Sequence, residues 1–342
     1  MKLSLKVAFA VAAAAVAMSN LFATAAYAAE PLELVQTIKL PGYSGDFDHF
    51  AVDRTRGRIL LAAEDHATLE VFDLKTGAHL RTVSGFGAPH SILVRPGAST
   101  ILVTDSDKMT HILDADSYAE KGSVALTPGA DSAAYDAKTN VYYVVTGGKD
   151  VNMKTCFIEA INPDTGKELG KIEFADNHVE AIAIEPDGDR LFINLAQTNK
   201  IAVINRRKMS VMAMWPVTPA RQNAMVAFDR SAHRLYVVCR DPGMVVVMNS
   251  DTGEVTNSLP APLRADDLFF DRQAHRLYVP GGEGFVGVYD TSLPDHLKQV
   301  ARVKTAPGAK TGLLLTDSGK LILAASPGDT KNMAAVMTFA IR

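Results

Sequence analysis

The sequence has 342 residues, 47% of them hydrophobic and 21% charged, with a formal net charge of −3 at pH 7. This is the composition of a globular chain with ample core, and it excludes a disordered or strongly basic protein. A net negative balance does not favour nucleic acid or an anionic membrane surface as a partner.

In chain order, the first segment reads as a targeting signal. Lys2 and Lys6 give a basic start, an apolar stretch runs from Val7 to Ala17, and Ala26-Tyr27-Ala28 is an A-x-A-like cleavage site. The expectation is a signal peptide over residues 1–28 and one domain over residues 29–342, in the periplasm or secreted. The apolar stretch is too short and too Ala-rich for a membrane span, so no transmembrane segment is expected in the mature chain. Loss of two lysines and no acids takes the charge from −3 to −5.

From Leu34 onward a pattern recurs at intervals of some forty-odd residues, and repeats of that length point to a propeller or solenoid. An apolar run ends in an acidic or polar residue, a turn follows, and two more β-rich runs lead to a turn of the Asp-x-x-Thr-Gly kind. Seven units align on Asp53, Arg95, Asp136, Glu185, Asp229, Asp271 and, less cleanly, Leu315. Their second strands (Ile59–Ala62, Tyr142–Val145 and Leu235–Val238 among them) are rich in β-branched and aromatic residues, as pleated, half-buried positions require. Asp, Asn and Gly at Asp73–Gly77, Asn162–Gly166 and Asn249–Gly253 supply turn hydrogen bonds and positive φ. The fold expected is all-β: a seven-bladed β-propeller of four-stranded antiparallel blades. The last unit shows only three strands, so Leu34–Leu40 is expected to complete it and close the ring.

Connections in such a fold alternate between two faces. On one face fall the entrances of the first strands and the loops between second and third strands. The entrances bring Asp48, His49, His90, Asp131, His178, Glu180, Arg221, Asn223, Asp266, Asp267, Lys310 and Thr311 toward the axis. The loops add Glu64, Asp65, His66, Asp105, Asp107, Lys149, Asp150, Asn194, Cys239, Arg240, Glu283 and Lys331. Charged side chains converging on a cleft are where ligands are expected, although polar tunnel mouths also collect charge without function. His233 and His275 fall on the far face, in hairpins, and read as structural.

Two site readings follow. Asp48, His90, Asp131, Glu180 and Asp266 share one aligned position and would form a ring able to hold a divalent metal ion. Carboxylates alone would suit calcium, and the histidines shift the choice toward zinc, copper or iron. No motif names a cofactor. Asp48, His49, His178, Glu180, Asn223, Asp266, Asp267 and Glu283 would contact a small ligand, with Arg221, Arg240 and Lys310 clamping an anionic group. The alternative for these cations is simple neutralisation of the acids.

Gly282-Glu283-Gly284-Phe285-Val286-Gly287 matches G-x-G-x-x-G, but a strand is expected after it where a dinucleotide site needs a helix. Cys156 and Cys239 lie a whole repeat apart, beyond disulfide reach, so two free thiols are expected. Cys156 reads as buried and inert. Cys239, beside Arg240 at the mouth, has a low-pKa thiolate as its functional alternative.

Phe47-Asp48-His49-Phe50-Ala51-Val52-Asp53, His178-Val179-Glu180, Ala220-Arg221-Gln222-Asn223, Val238-Cys239-Arg240-Asp241-Pro242, Asp266-Asp267-Leu268-Phe269-Phe270-Asp271, Gly282-Glu283-Gly284-Phe285 and Thr305-Ala306-Pro307-Gly308-Ala309-Lys310-Thr311 resemble bacterial secreted propellers of the YVTN, or YncE-like, family. The resemblance covers nearly all of the mature chain and implies a seven-bladed propeller exported to the periplasm or beyond. One branch of that family is linked to single-stranded DNA, which needs basic grooves and stacking aromatics; the acidic mouth here argues against it. Related propellers include metal-dependent lactonases, whose ligands are mostly Glu, Asp and Asn, and the histidines here depart from that set. The leading functional expectation is therefore a propeller binding a small ligand or metal ion at its axial mouth. The alternatives are a lactonase-like hydrolase using a metal-bound water and a non-catalytic scaffold for a periplasmic protein partner.

Overall fold

A computed structural model describes residues 30–107, 109–328 and 333–342. The expected signal peptide and Lys331 lie outside the described residues. The chain forms seven four-stranded antiparallel sheets, each made of consecutive strands except the last. Blades 1 to 6 run from Phe50 to Ser84, Pro89 to Ala125, Ala133 to Phe174, Val179 to Pro216, Arg221 to Pro260 and Phe269 to Lys304. Blade 7 takes three strands between Ala309 and Ile341, and its outermost strand is Leu32–Leu40 from the other end of the chain. Leu32 pairs with Ile341 and Leu40 with Ala334. The expected closure of the ring by the N-terminal strand is thus present, and the strand starts two residues earlier than the sequence pattern indicates.

Burial explains why the second and third strands were the legible ones. Neighbouring blades cover both faces of each sheet, so these strands are apolar on both sides. Ile59 through Ala63 are all buried, as are Leu235 through Cys239. The outermost strands face water: His79–Ser84 buries only Val83, and Ser210–Pro216 buries nothing. The core is accordingly divided into clusters between adjacent blades; one joins Leu60, Leu69 and Val71 of blade 1 to Ile101 and Val103 of blade 2. Cys156 and Cys239 are free and buried, and burial pushes their thiols up to about 11 and about 12. This removes the thiolate alternative for Cys239, whose side chain points into the core between blades and away from the mouth. Phe285–Asp290, after the glycine-rich run, is a strand, as expected.

The two faces differ in how they treat carboxylates. On the far face Asp53, Asp136, Asp229 and Asp271 end the innermost strands and accept backbone N–H groups from their own turns. His233 and His275 sit in these turns at positive φ, and His233 pairs with Asp251. Their acids are saturated locally and leave nothing for a ligand.

Candidate functional site at the axial mouth

A β-bulge at the entrance of the innermost strand builds the mouth in every blade. In blade 2 Pro89 pairs with Asp105 but Ile92 with Val103, so the strand carries one residue too many. The same skip occurs between Val179 and Ile182, between Asn223 and Met225, and between Ala309 and Thr311. In blades 1 and 3, Asp48 and His49 together face Ala62, and Asp131 and Ser132 together face Val145. In blade 6 the bridge Ala265 to Gly281 is followed by the pair Phe269 to Tyr278, again one residue long. Bulges re-aim the extra side chain, and here they turn it toward the axis. The seven extra residues are Asp48, His90, Asp131, Glu180, Ala224, Asp266 and Lys310. The sequence alignment put Thr311 in the seventh place, but the bulge gives that place to Lys310 and buries Thr311.

Six of the seven side chains carry charge or can, and they line a cavity of about 270 Å³ with His49, Glu64, Ser106, Lys149, Asp150, His178 and Arg240. Within each arc of the ring, neighbouring groups meet. His90 Nδ1 lies 2.5 Å from Asp48 Oδ2 and 3.7 Å from Asp131 Oδ1, while its Nε2 is 2.7 Å from Ser106 Oγ. At the fifth position stands Ala224, and Arg240, near the end of the second strand of that blade, supplies the charge instead. Arg240 Nη1 donates to Glu180 Oε1 at 2.7 Å, Nη2 to Asp266, and Nε to the Ala265 carbonyl at 3.1 Å. His178 Nε2 lies 2.6 Å from Glu180. Lys310 Nζ bridges Asp266 at 3.0 Å and Asp46 at 2.9 Å.

The electrostatics follow from burial and neighbours. Asp48 is held well below the usual carboxylate range despite its burial, because His49, His90 and Lys310 surround it. His90 is pushed up to about 10 against the opposing effect of burial, by Asp131, Asp48 and Glu64; His49 is pushed up to about 9 by Asp48, Asp267 and Asp131. Burial lifts the Glu64 carboxyl to about 7 and that of Asp131 to about 6, with repulsion from Asp48 adding to both. The Arg240 guanidinium keeps buried Glu180 low.

A second tier lies one residue deeper. His49, Ser91, Ser132, Ala181, Met225 and Asp267 line a cavity of about 380 Å³ inside the channel, with apolar walls from Phe50, Ile92, Leu93 and Leu268. Asp267 accepts the Gly312 N–H at 2.7 Å, and burial lifts its carboxyl to about 7. A third cavity of about 810 Å³ opens beside the mouth, sharing Arg240, Asp266 and Lys310 and walled by Leu263, Arg264 and Pro307.

Of the residues expected from sequence, Asp48, His49, His90, Asp131, His178, Glu180, Arg240, Asp266 and Lys310 share the central cavity, and Asp267 sits one tier below. Three do not line it. Arg221 pairs with Asp241 on the exposed rim. Asn223 is fully buried, and its amide is spent on Asn194 and the Lys200 carbonyl. Glu283 accepts from the Leu263 N–H and Arg302 at the edge of blade 6. Glu64, Ser106, Lys149 and Asp150 line the cavity but stood outside the expected ligand and metal sets. Ser106 carried no signal beyond its place in the Asp105–Asp107 loop.

Two sets of side chains bring potential ligand atoms within 4.8 Å of one another here: Asp48, Glu64 and His90, and Asp48, His49 and Asp131. Asp48 belongs to both. Among the described residues no helix is long and apolar enough to cross a membrane.

No protein-family model and no curated protein matches this sequence. Among solved structures the chain is similar to Kuenenia stuttgartiensis hydrazine synthase, with a TM-score of 0.73 and 15% identity over 89% of this chain and 98% of that chain. At that identity the similarity speaks to the fold, and the fold is a seven-bladed β-propeller.

Proposed function

We propose that this protein is a ligand-binding propeller that holds a divalent cation in the blade 1–3 arc of its mouth, through Asp48, Glu64, His90, Asp131 and His49. The observation that supports the reading is the convergence of these groups around Asp48. No arginine or lysine among the described residues forms an ion pair with Asp48, Glu64 or Asp131, whereas Glu180 and Asp266 across the cavity pair with Arg240. Mixed imidazole and carboxylate donors suit zinc or a neighbouring transition metal better than calcium. Arg240 and Lys310, across the cavity, would orient an anionic group on a small organic ligand reaching into the adjoining 810 Å³ space. The chain resembles exported YncE-like propellers in sequence, and on this reading the site would work in the periplasm or outside the cell.

The test is metal content and titration of the mature protein, stripped with chelator and refilled with zinc, manganese or calcium. Asp48→Asn and Glu64→Gln are expected to weaken zinc binding at least about tenfold each, as loss of a direct ligand costs no less than loss of its supporting partner. Glu283→Gln should leave it unchanged. Equal zinc affinity in Asp48→Asn, Glu64→Gln and the parent protein would refute the assignment and move weight to a scaffold role. The second reading is a metal-dependent hydrolase, in which Glu64 or Asp131 would stay off the metal and act as general base. Chelator-sensitive turnover on a lactone panel would establish it.

A further inference from the structure

The loop that gives Ser106 to the mouth turns two acids the other way. Asp105 and Asp107 flank Ser106, and their carboxylates approach His111 of the next strand with ligand atoms of all three within 4.8 Å. His111 is 93% buried by its 7% exposure, and its Nε2 has no hydrogen-bond partner. That atom faces Asp105 Oδ2 at 3.5 Å. The other ring nitrogen, Nδ1, lies 3.2 Å from Glu120 Oε1. Phe86 packs edge-on against the ring at 5.3 Å and fixes its plane.

A proton on Nδ1, donated to Glu120, leaves a lone pair on Nε2 pointing at a carboxylate. Asp105 and Glu120 push the imidazole up, so a second proton holds Nε2 in the metal-free protein, and a divalent cation would take that proton's place between Nε2 and the carboxylate. The spacing suits a metal better than a hydrogen bond. Ligands about 2.0–2.1 Å from a tetrahedral zinc ion sit about 3.3–3.4 Å apart, whereas a direct N–H···O bond peaks near about 2.9 Å. Asp105 is itself anchored by the N–H groups of Gly87 and Ala88 at 2.7 and 2.9 Å and of Asp107 at 3.2 Å. A carboxylate offers about four lone-pair sites, so one remains. Glu120–His111 has the form of the carboxylate–histidine pair that orients metal ligands. Asp107 is exposed and supplies the route in.

The geometry points to a second divalent transition-metal site, of the zinc type, built from His111 Nε2, Asp105 and Asp107 with water completing the shell and Glu120 orienting the imidazole. It is independent of the mouth site and stands if that site fails. One loop would then carry two sites back to back, with Ser106 on the mouth side and its two neighbours on the blade 1–2 rim.

The experiment is zinc titration by calorimetry, with a competing chelator, of the stripped mature protein, in the parent and in an Asp48→Asn/Glu64→Gln background that silences the mouth. The silenced protein is expected to keep one zinc. Adding Asp107→Asn or Glu120→Gln, both at exposed side chains, should weaken that zinc about tenfold or more, and His111→Gln should remove it. Circular dichroism verifies that each variant folds. No zinc in the silenced protein, or binding there indifferent to Asp107→Asn and Glu120→Gln, overturns the proposal. Binding lost in Asp107→Asn but kept in Asp48→Asn/Glu64→Gln supports this site and refutes the mouth.

Discussion

The two arcs of the mouth solve the same problem in opposite ways. In blades 4 to 7 the two acids of the ring are paired with permanent cations: Glu180 and Asp266 share Arg240, and Asp266 also meets Lys310. In blades 1 to 3 the ion pairs of Asp48 and Asp131 are with histidines, and the Glu64 and Asp131 carboxyls are pushed up instead of being neutralised. Seven equivalent bulges supply the positions in both arcs. The difference lies in single residues: Ala224 leaves the fifth position without a charge and Arg240 supplies one, and His90 takes the place a permanent cation would hold. One arc is complete as it stands, whereas the other is arranged to accept a charge from outside.

The comparison breaks most severely at Arg240. Arg240→Ala strands Glu180 and Asp266 without their shared partner, and loss of one member of a buried ion pair costs about 3 kcal/mol. Urea unfolding at pH 7 should show a loss of that order. Glu180 is held below its unfolded value of 4.5, so its stabilisation is present above that pH and is lost as pH falls through the folded value. The gap between Arg240→Ala and the parent should therefore close below about pH 4. A gap that persists there would mean the arginine acts through packing.

The opposite arc should respond with the opposite sign. Asp131 titrates above its unfolded value of 3.8, at about 6. Ionising it therefore costs stability progressively as pH rises from the lower value, and the whole cost is present above the higher one. Asp131→Asn should stabilise the metal-free protein at pH 8, by no more than about 1 kcal/mol, because the carboxylate is 38% exposed and screened by solvent. The advantage should vanish by pH 4, and thermal melts in chelator at the two pH values would show it. The smallest effect expected is a null one. Cys239 borders Arg240 in sequence but is buried with its thiol at about 12, so neither it nor Cys156 should react with iodoacetamide at pH 8 in the native protein.

The fold was legible because it is written in the most constrained residues. Second and third strands packed on both faces show as apolar runs, and Asp, Asn and Gly mark the turns. The outermost strands left little trace: Ser210–Pro216 buries no residue, so no pattern was imposed on it. The site was legible wherever a ring residue was charged, since repeat alignment alone places Asp48, His90, Asp131, Glu180 and Asp266 on one face. Alignment could not see the bulge that moves the seventh position from Thr311 to Lys310. Nor could it tell Arg221, drawn outward by Asp241, from Arg240, drawn inward by two acids. Side-chain direction in those cases depends on partners far away in the chain.

The pairing of Leu32–Leu40 with Ala334–Ile341 sets an order of events. Every other blade can assemble from contiguous chain as it is made. The seventh waits for segments some 300 residues apart, and bringing such ends together costs on the order of 5 kcal/mol in chain entropy. The earliest strand to be synthesised is thus the last to find its place. It is suited to the wait, since only its end residues Leu32 and Leu40 are buried in the finished ring, and little apolar surface is left bare meanwhile. The seam is the latest joint to form and, by the same reasoning, the first to part under stress, on the outer edge of the blade whose innermost strand carries Lys310.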